Sequence, residues 1–297
     1  MENTIGNSGD IAQIILDTIN SLLESLFSSI DNNLYSILDK ISFVNSDILH
    51  DSYFEAIFGT SSTNGVLLIA NSLLLGFLLY YASRYLLAHL TYVQAPTPFR
   101  FLIKLVICGI CMNFSFFIVA TFLDLNSYIS LAIRNLGESL WNKNICFSEL
   151  ILTINNQMAV DTNTLNIFSI DGLIKGILSV SLLNLVFSYS FRYMMIKLFV
   201  LLSPFAFLSL SLPSTSWFFK AWFKNLFSLL FLQVIISLVL LLLFSTPFSS
   251  NDLLSKFIYL GGIYVLIKAN SFIRDFIGGV STNVAHSVNN FIGLRKG

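Results

Sequence analysis

The run 226–244 constrains this chain more than any other feature: sixteen of its nineteen residues are Leu, Ile, Val or Phe. About 20 apolar residues at 1.5 Å rise match the hydrocarbon thickness of a bilayer. At ~0.3–0.6 kcal/mol per central residue, such a run inserts favourably. Three more runs have the same character: 65–86, 101–123 and 253–273. Lipid offers no partner for a bare peptide group, so segments of this kind are helices. The reading is therefore an all-α integral membrane protein. Composition agrees, because only 11% of the 297 residues are charged, under half of the ~25% typical of soluble domains. A disordered chain, a disulfide scaffold and an ordinary cytosolic enzyme are excluded.

The stretch 172–212 is long enough for one unusual helix or for a hairpin of two, and it contains Arg192 and Lys197. The charge distribution bears on the choice. Residues 1–60 hold nine acids and one base, Lys40, whereas the remainder holds seven acids and fifteen bases. With the N-terminus outside and one crossing at 172–212, nine bases fall inside and five outside. With two crossings, six fall inside and ten outside, and Arg295-Lys296 becomes external. The positive-inside rule favours the first arrangement. That gives about five transmembrane helices, N-terminus outside and C-terminus inside, with an unusually long third helix. Ser203-Pro204 is expected to kink it, since proline removes a backbone donor and clashes with the preceding turn.

Residues 1–64 read as an acidic extracytoplasmic segment built on an amphipathic helix. The start of the chain lacks the basic and apolar regions of a cleavable signal. From Ile11 to Ile41, apolar residues recur every 3.75 positions on average, with Asp17, Glu24 and Asp31 on the opposite face. Acids at that spacing exclude a membrane span, at roughly 2.5–3.5 kcal/mol each on insertion scales. Lipid-surface helices usually carry Lys and Arg on the polar face, so packing on protein ranks ahead of packing on lipid. The remaining layout is a first two-span hairpin at 65–123 and an extracytoplasmic loop at 124–171. A three-span region at 172–275 and a cytoplasmic tail at 276–297 complete it.

No paired carboxylates within a span, P-loop, nucleophile elbow or zinc motif offers an enzyme mechanism, and no cofactor is implied. Cys108 and Cys111 have redox-motif spacing but read as packing residues in an apolar helix. Ionisable residues at membrane depth are the default candidates for function. Lys104, Lys220, Lys224, Lys256 and Lys268 read as interfacial anchors that snorkel. Arg192 and Lys197, flanked by Tyr189 and Tyr193, read as an interfacial belt or as a basic ring lining a pathway in an oligomer. Gln233 reads as a hydrogen-bonding contact between helices. The segment 213–224 combines Trp217, Trp222 and three Phe with Lys220 and Lys224, which is the composition of an interfacial elbow.

The elbow and its approach are similar to a known pattern. The run from Lys197 through Ser203-Pro204 to Phe207, then Trp222, then a Leu-rich span, resembles the TrbL-like polytopic inner-membrane subunits of type IV secretion and conjugation systems. The likeness is clearest over about 190–275. Pro204 and Trp222 match the family's recognisable positions, and their role there looks structural. The resemblance implies a channel or platform subunit of the bacterial cytoplasmic membrane that forms homo-oligomers and contacts other secretion subunits. Separate ATPases would supply energy, and translocated DNA–protein complexes or effector proteins would be transient partners. A small-molecule permease or a pure assembly scaffold is the alternative. Single-cysteine probes at Gln94, Gln157 and Ser281 should label from the inside, outside and inside respectively. An external Ser281 overturns the five-crossing layout.

Overall fold

The computed structural model describes residues 35–60, 64–90, 98–157, 170–246 and 252–277, with Ile14, Thr18 and Ser21 ahead of them. Most of the amphipathic helix expected at 11–41, the probe sites Gln94 and Ser281, and the tail therefore lie outside the described residues. Every described element is helical. A last stretch of helix at 35–42 (α1) leads through a short 3-10 turn, Ser46–Leu49, to α2 (Ser52–Phe58). Then follow α3 (Val66–Leu90), α4 (Pro98–Asn113), α5 (Ser115–Trp141) and α6 (Phe147–Gln157). The chain continues in α7 (Ile170–Ser209), α8 (Ser216–Ser245) and α9 (Leu253–Ile277). Among the described residues, α3, α5, α7 and α8 are each long and apolar enough to cross a membrane. The protein is a multi-pass, all-α membrane protein.

The ambiguous stretch 172–212 is one continuous helix through residue 209, 40 residues from Ile170 and so about 60 Å long. It remains helical across Pro204. The second apolar run, expected as one helix over 101–123, is divided at Phe114 (φ −89°, ψ 5°) into α4 and α5. Helical spacing of hydrogen bonds persists, from Phe114 N–H to Ile110 and from Ile118 N–H to Phe114, so the break is a kink. Asn113 explains it. Its amide donates back to the Gly109 carbonyl at 2.8 Å and pairs reciprocally with Asn71 on α3, both bonds 3.2 Å. A side chain that bonds its own preceding turn competes with the backbone ladder and bends helices.

The boundary expected at 123/124 is also absent. Residues 124–141 are not loop but the greater part of α5, which ends at Trp141 with Asn142 in the left-handed region (φ 51°). Asp124, the first residue of the expected loop, is engaged by the chain itself, since its carboxylate accepts the Ser46 N–H at 3.0 Å.

Two apolar cores fill the bundle. One unites α1 and α6 with the first half of α7, the second half of α8 and α9, around Leu185, Tyr189, Leu232, Ile236 and Leu266. The other unites α2, the start of α3, the α4–α5 kink and the elbow-side halves of α7 and α8, around Phe58, Val119, Ile196, Val200 and Leu229. The chain passes from one core to the other between α1 and α3. There Gly59 ends α2 in the left-handed region (φ 99°), and a Cβ on Gly65 would sit 2.6 Å from the Gly59 backbone. Only glycine permits that contact. Gly65→Ala should therefore cost about 1–3 kcal/mol, read as a lowered Tm in detergent. Gly76→Ala, whose Cβ would meet nothing within 4 Å, should leave the Tm unchanged or slightly raised.

Candidate functional site

A helix that stops inside a packed bundle leaves carbonyl and amide groups without partners, and irregular backbone at membrane depth survives only where protein supplies them. Residues 43–45, between α1 and the 3-10 turn, are irregular backbone enclosed by the bundle, with the same need for partners. Ser42 and Val44 are at 0% and 1% exposure. Three side chains from three long helices meet the need. Arg192 of α7 donates through Nη1 to the Ser42 carbonyl at 3.1 Å. Gln233 of α8 accepts the Val44 N–H through Oε1 at 3.0 Å. Asp124 of α5 accepts the Ser46 N–H at 3.0 Å.

Arg192 also ties these partners to one another. Its Nε donates to the Leu229 carbonyl at 2.8 Å, and its Nη2 donates to Gln233 Oε1 at 3.3 Å. The side chain is fully buried, and no carboxylate lies within ion-pair distance of it among the described residues. Carbonyl dipoles and one amide oxygen therefore hold the guanidinium, whose planar fork of donors suits several acceptors at once. Arg192 and Gln233 lie equally far from the elbow along antiparallel helices, so they meet at one height, between the two apolar cores. Because Gln233 Oε1 accepts two donors, the orientation of the amide is determined. Its Nε2 and the nearby Ser42 hydroxyl have no partner among the described residues.

One helical turn before Arg192, the buried Tyr189 hydroxyl donates to the Leu266 carbonyl at 3.3 Å and so ties α7 to α9. Lys197 is separate from this layer. It is half-buried, with its ammonium 5.4 Å from the ring centroids of both Phe54 and Tyr193, a cation–π arrangement. Of the three residues proposed from sequence for a pathway or interface, the structure thus joins Arg192 to Gln233 and leaves Lys197 apart. Arg192 faces the interior of its own chain.

The upper end of the N-terminal segment is fastened by charge as well. Asp39 accepts the Phe147 and Ser148 N–H groups at 2.8 and 3.1 Å, together with the Ser148 hydroxyl. A carboxylate at a helix N-terminus is favoured by the orphan amides and by the dipole, so Asp39 caps α6 from over a hundred residues away. Arg134 of α5 donates to the Ile145 carbonyl at 2.9 Å and lies 4.2 Å over the Phe43 ring. Between them, Cys146 accepts the Glu149 N–H, and burial pushes its thiol above the ordinary value.

Pro204 and Trp222, the two positions of the sequence motif, meet in a second joint. A proline leaves the carbonyl four residues earlier without its helical donor; here that carbonyl belongs to Val200. The Ser203 hydroxyl donates to it at 2.7 Å. The buried Trp222 indole N–H donates to the adjacent Phe199 carbonyl at 2.8 Å. The elbow between α7 and α8 occupies 210–215, where Thr215 Oγ1 donates to the Ser209 carbonyl at 2.7 Å; the rest of the expected elbow, 216–224, is already α8.

No protein family, characterised protein or solved structure matches this chain. Its function is therefore argued from its own geometry.

Of the lysines read as anchors, Lys104, Lys220, Lys224 and Lys268 are exposed and Lys256 is buried. No group of three His, Cys, Asp or Glu side chains is placed to hold a metal among the described residues, and Cys108, Cys111 and Cys146 are free thiols. Sequence reasoning missed Asp39, Ser42, Asn71 and Asp124. Only Asp124 had a usable signal, a carboxylate at the edge of an apolar run. Gln233→Leu should remove the acceptor shared by Val44 and Arg192 and cost about 1–3 kcal/mol. Hydrogen exchange should rise selectively at the amides of 42–46. Unchanged protection there would show that the layer does not hold the segment.

Proposed function

We propose that this chain is a membrane platform or channel subunit of a type IV secretion (conjugation) apparatus, resident in the bacterial cytoplasmic membrane. In this reading it has five crossings, the fifth being α9, with the N-terminus outside and the C-terminus inside. It acts as a homo-oligomer beside other secretion subunits and takes its energy from separate ATPases. Its work is structural: it holds a translocation path for DNA–protein complexes or effector proteins and performs no chemical step.

The observation that carries the proposal is the joint at Pro204. The two positions of the resembling motif, eighteen residues apart in sequence, close on one turn of α7 through Ser203 and Trp222. Such a joint fixes the angle of the α7–α8 hairpin, which is a need of an assembly component. The polar layer points the same way. Arg192, Gln233 and Asp124 are occupied by the backbone of residues 42–46, and a solute site would need them free.

A small-molecule permease is the rival reading, and the irregular backbone at 43–45 is the feature that favours it. Transporters place substrate and ion sites where helices are interrupted near the midplane. Deleting the gene in its host separates the two. Loss of DNA or effector transfer by a hundred-fold or more, restored by the intact gene and with solute uptake unchanged, is the expected result. Normal transfer with impaired uptake of a solute overturns the secretion reading.

A further inference from the structure

On the flank of the bundle, α3 runs beside the elbow-side end of α7, and two hollows lie between them. The deeper hollow, about 260 Å³, is lined by Leu73, Phe77, Phe205, Leu208, Trp217 and Phe218, with Ser209 and Thr215 at its edge. The second, about 570 Å³, is lined by Phe77, Tyr80, Arg84, Leu212, Pro213 and Ser214. Phe77 belongs to both, so an apolar slot leads into a basin carrying a guanidinium, a phenol and a hydroxyl. Arg84 is exposed, and no carboxylate lies within ion-pair distance of it among the described residues.

The position of this pair matters as much as its chemistry. Trp217 is 66% exposed and lies at the start of α8, followed by the exposed Lys220 and Lys224. Tryptophan and lysine together mark the level of lipid headgroups. Trp217 lines the slot, so the slot opens at this level, and the basin continues it along α3 from Phe77 to Arg84, away from Leu73. An amphiphile with a phosphate at one end and a hydrocarbon chain at the other fits both. Arginine binds phosphate through paired N–H donors, and hydroxyls such as those of Tyr80 and Ser214 supply further donors.

We infer that this flank is a binding site for an anionic phospholipid, its phosphate headgroup held by Arg84 with Tyr80 and Ser214, and one acyl chain laid in the slot between Phe77 and Phe218. The site fills the gap between α3 and the elbow, two elements that otherwise meet mainly through Phe77 and its neighbours. The inference needs only that the protein is membrane-embedded, so it stands or falls independently of the secretion reading.

Quenching of Trp217 by brominated lipid tests it. The purified chain is placed in phosphatidylcholine vesicles containing increasing fractions of brominated-acyl phosphatidylglycerol or brominated phosphatidylcholine. The Trp217 signal is taken as the difference from Trp217→Phe. Phosphatidylglycerol should reach half-quenching at a mole fraction about five-fold lower than phosphatidylcholine, the effect of one basic side chain near an anionic headgroup. Arg84→Gln, an exposed substitution, should bring the two curves together. Millimolar inorganic phosphate should leave the preference intact. Native mass spectrometry of the protein in mild detergent should show retained phosphatidylglycerol for the parent chain and its loss in Arg84→Gln. Coincident curves for the parent chain, or a preference surviving in Arg84→Gln, overturn the site. Displacement by inorganic phosphate overturns its assignment to lipid.

Discussion

A fully buried guanidinium holds this fold together. Arg192 lies between two apolar cores, where a permanent charge costs several kcal/mol unless matched by well-aligned partners. The Leu229 carbonyl, the Ser42 carbonyl and the Gln233 amide oxygen provide the match. The geometry fixes more than the arginine. A slip of α7 against α8 by one residue would separate Arg192 from both acceptors on α8 and leave the charge in hydrocarbon. The same contacts let non-helical backbone at 43–45 sit inside the bundle, because Gln233 and Asp124 take its amides. Register, depth and the seating of the N-terminal segment are thus one problem with one solution.

The same logic recurs wherever a helix is broken in an apolar setting. At Pro204 the orphaned carbonyl goes to Ser203 and its neighbour to Trp222. At Phe114 the kink is attended by the Asn71–Asn113 pair. Lipid cannot satisfy a freed peptide group, so each interruption has a polar side chain beside it. The mid-helix polar residues of this protein are therefore explained first by its own backbone. On the flank, by contrast, Arg84 is exposed with no carboxylate within ion-pair distance among the described residues.

Hydropathy located the apolar helix at 226–244 and the charge balance favoured a single element at 172–212, which the structure describes as one 40-residue helix. Pro204 and Trp222 were legible as a motif, and Arg192 and Gln233 as anomalies in apolar surroundings. The division of 101–123 at Phe114 was not legible, since a hydropathy window averages over a single residue and cannot see the Asn71–Asn113 pair formed across 42 residues. Asp124 opened the expected loop 124–171, yet it lies within α5. Its partner, Ser46, is seventy-eight residues earlier, and no local pattern connects them.

The sequence by itself determined that the chain is all-helical and that several of its segments are apolar enough to enter a bilayer. Those properties follow from residue-by-residue transfer free energy and from the periodicity of a single helix. Tertiary structure alone decided what the polar exceptions are for. A hydrogen bond is made between atoms a few ångströms apart, and the atoms that meet Arg192, Asp39 and Asp124 are brought there by packing from distant parts of the chain.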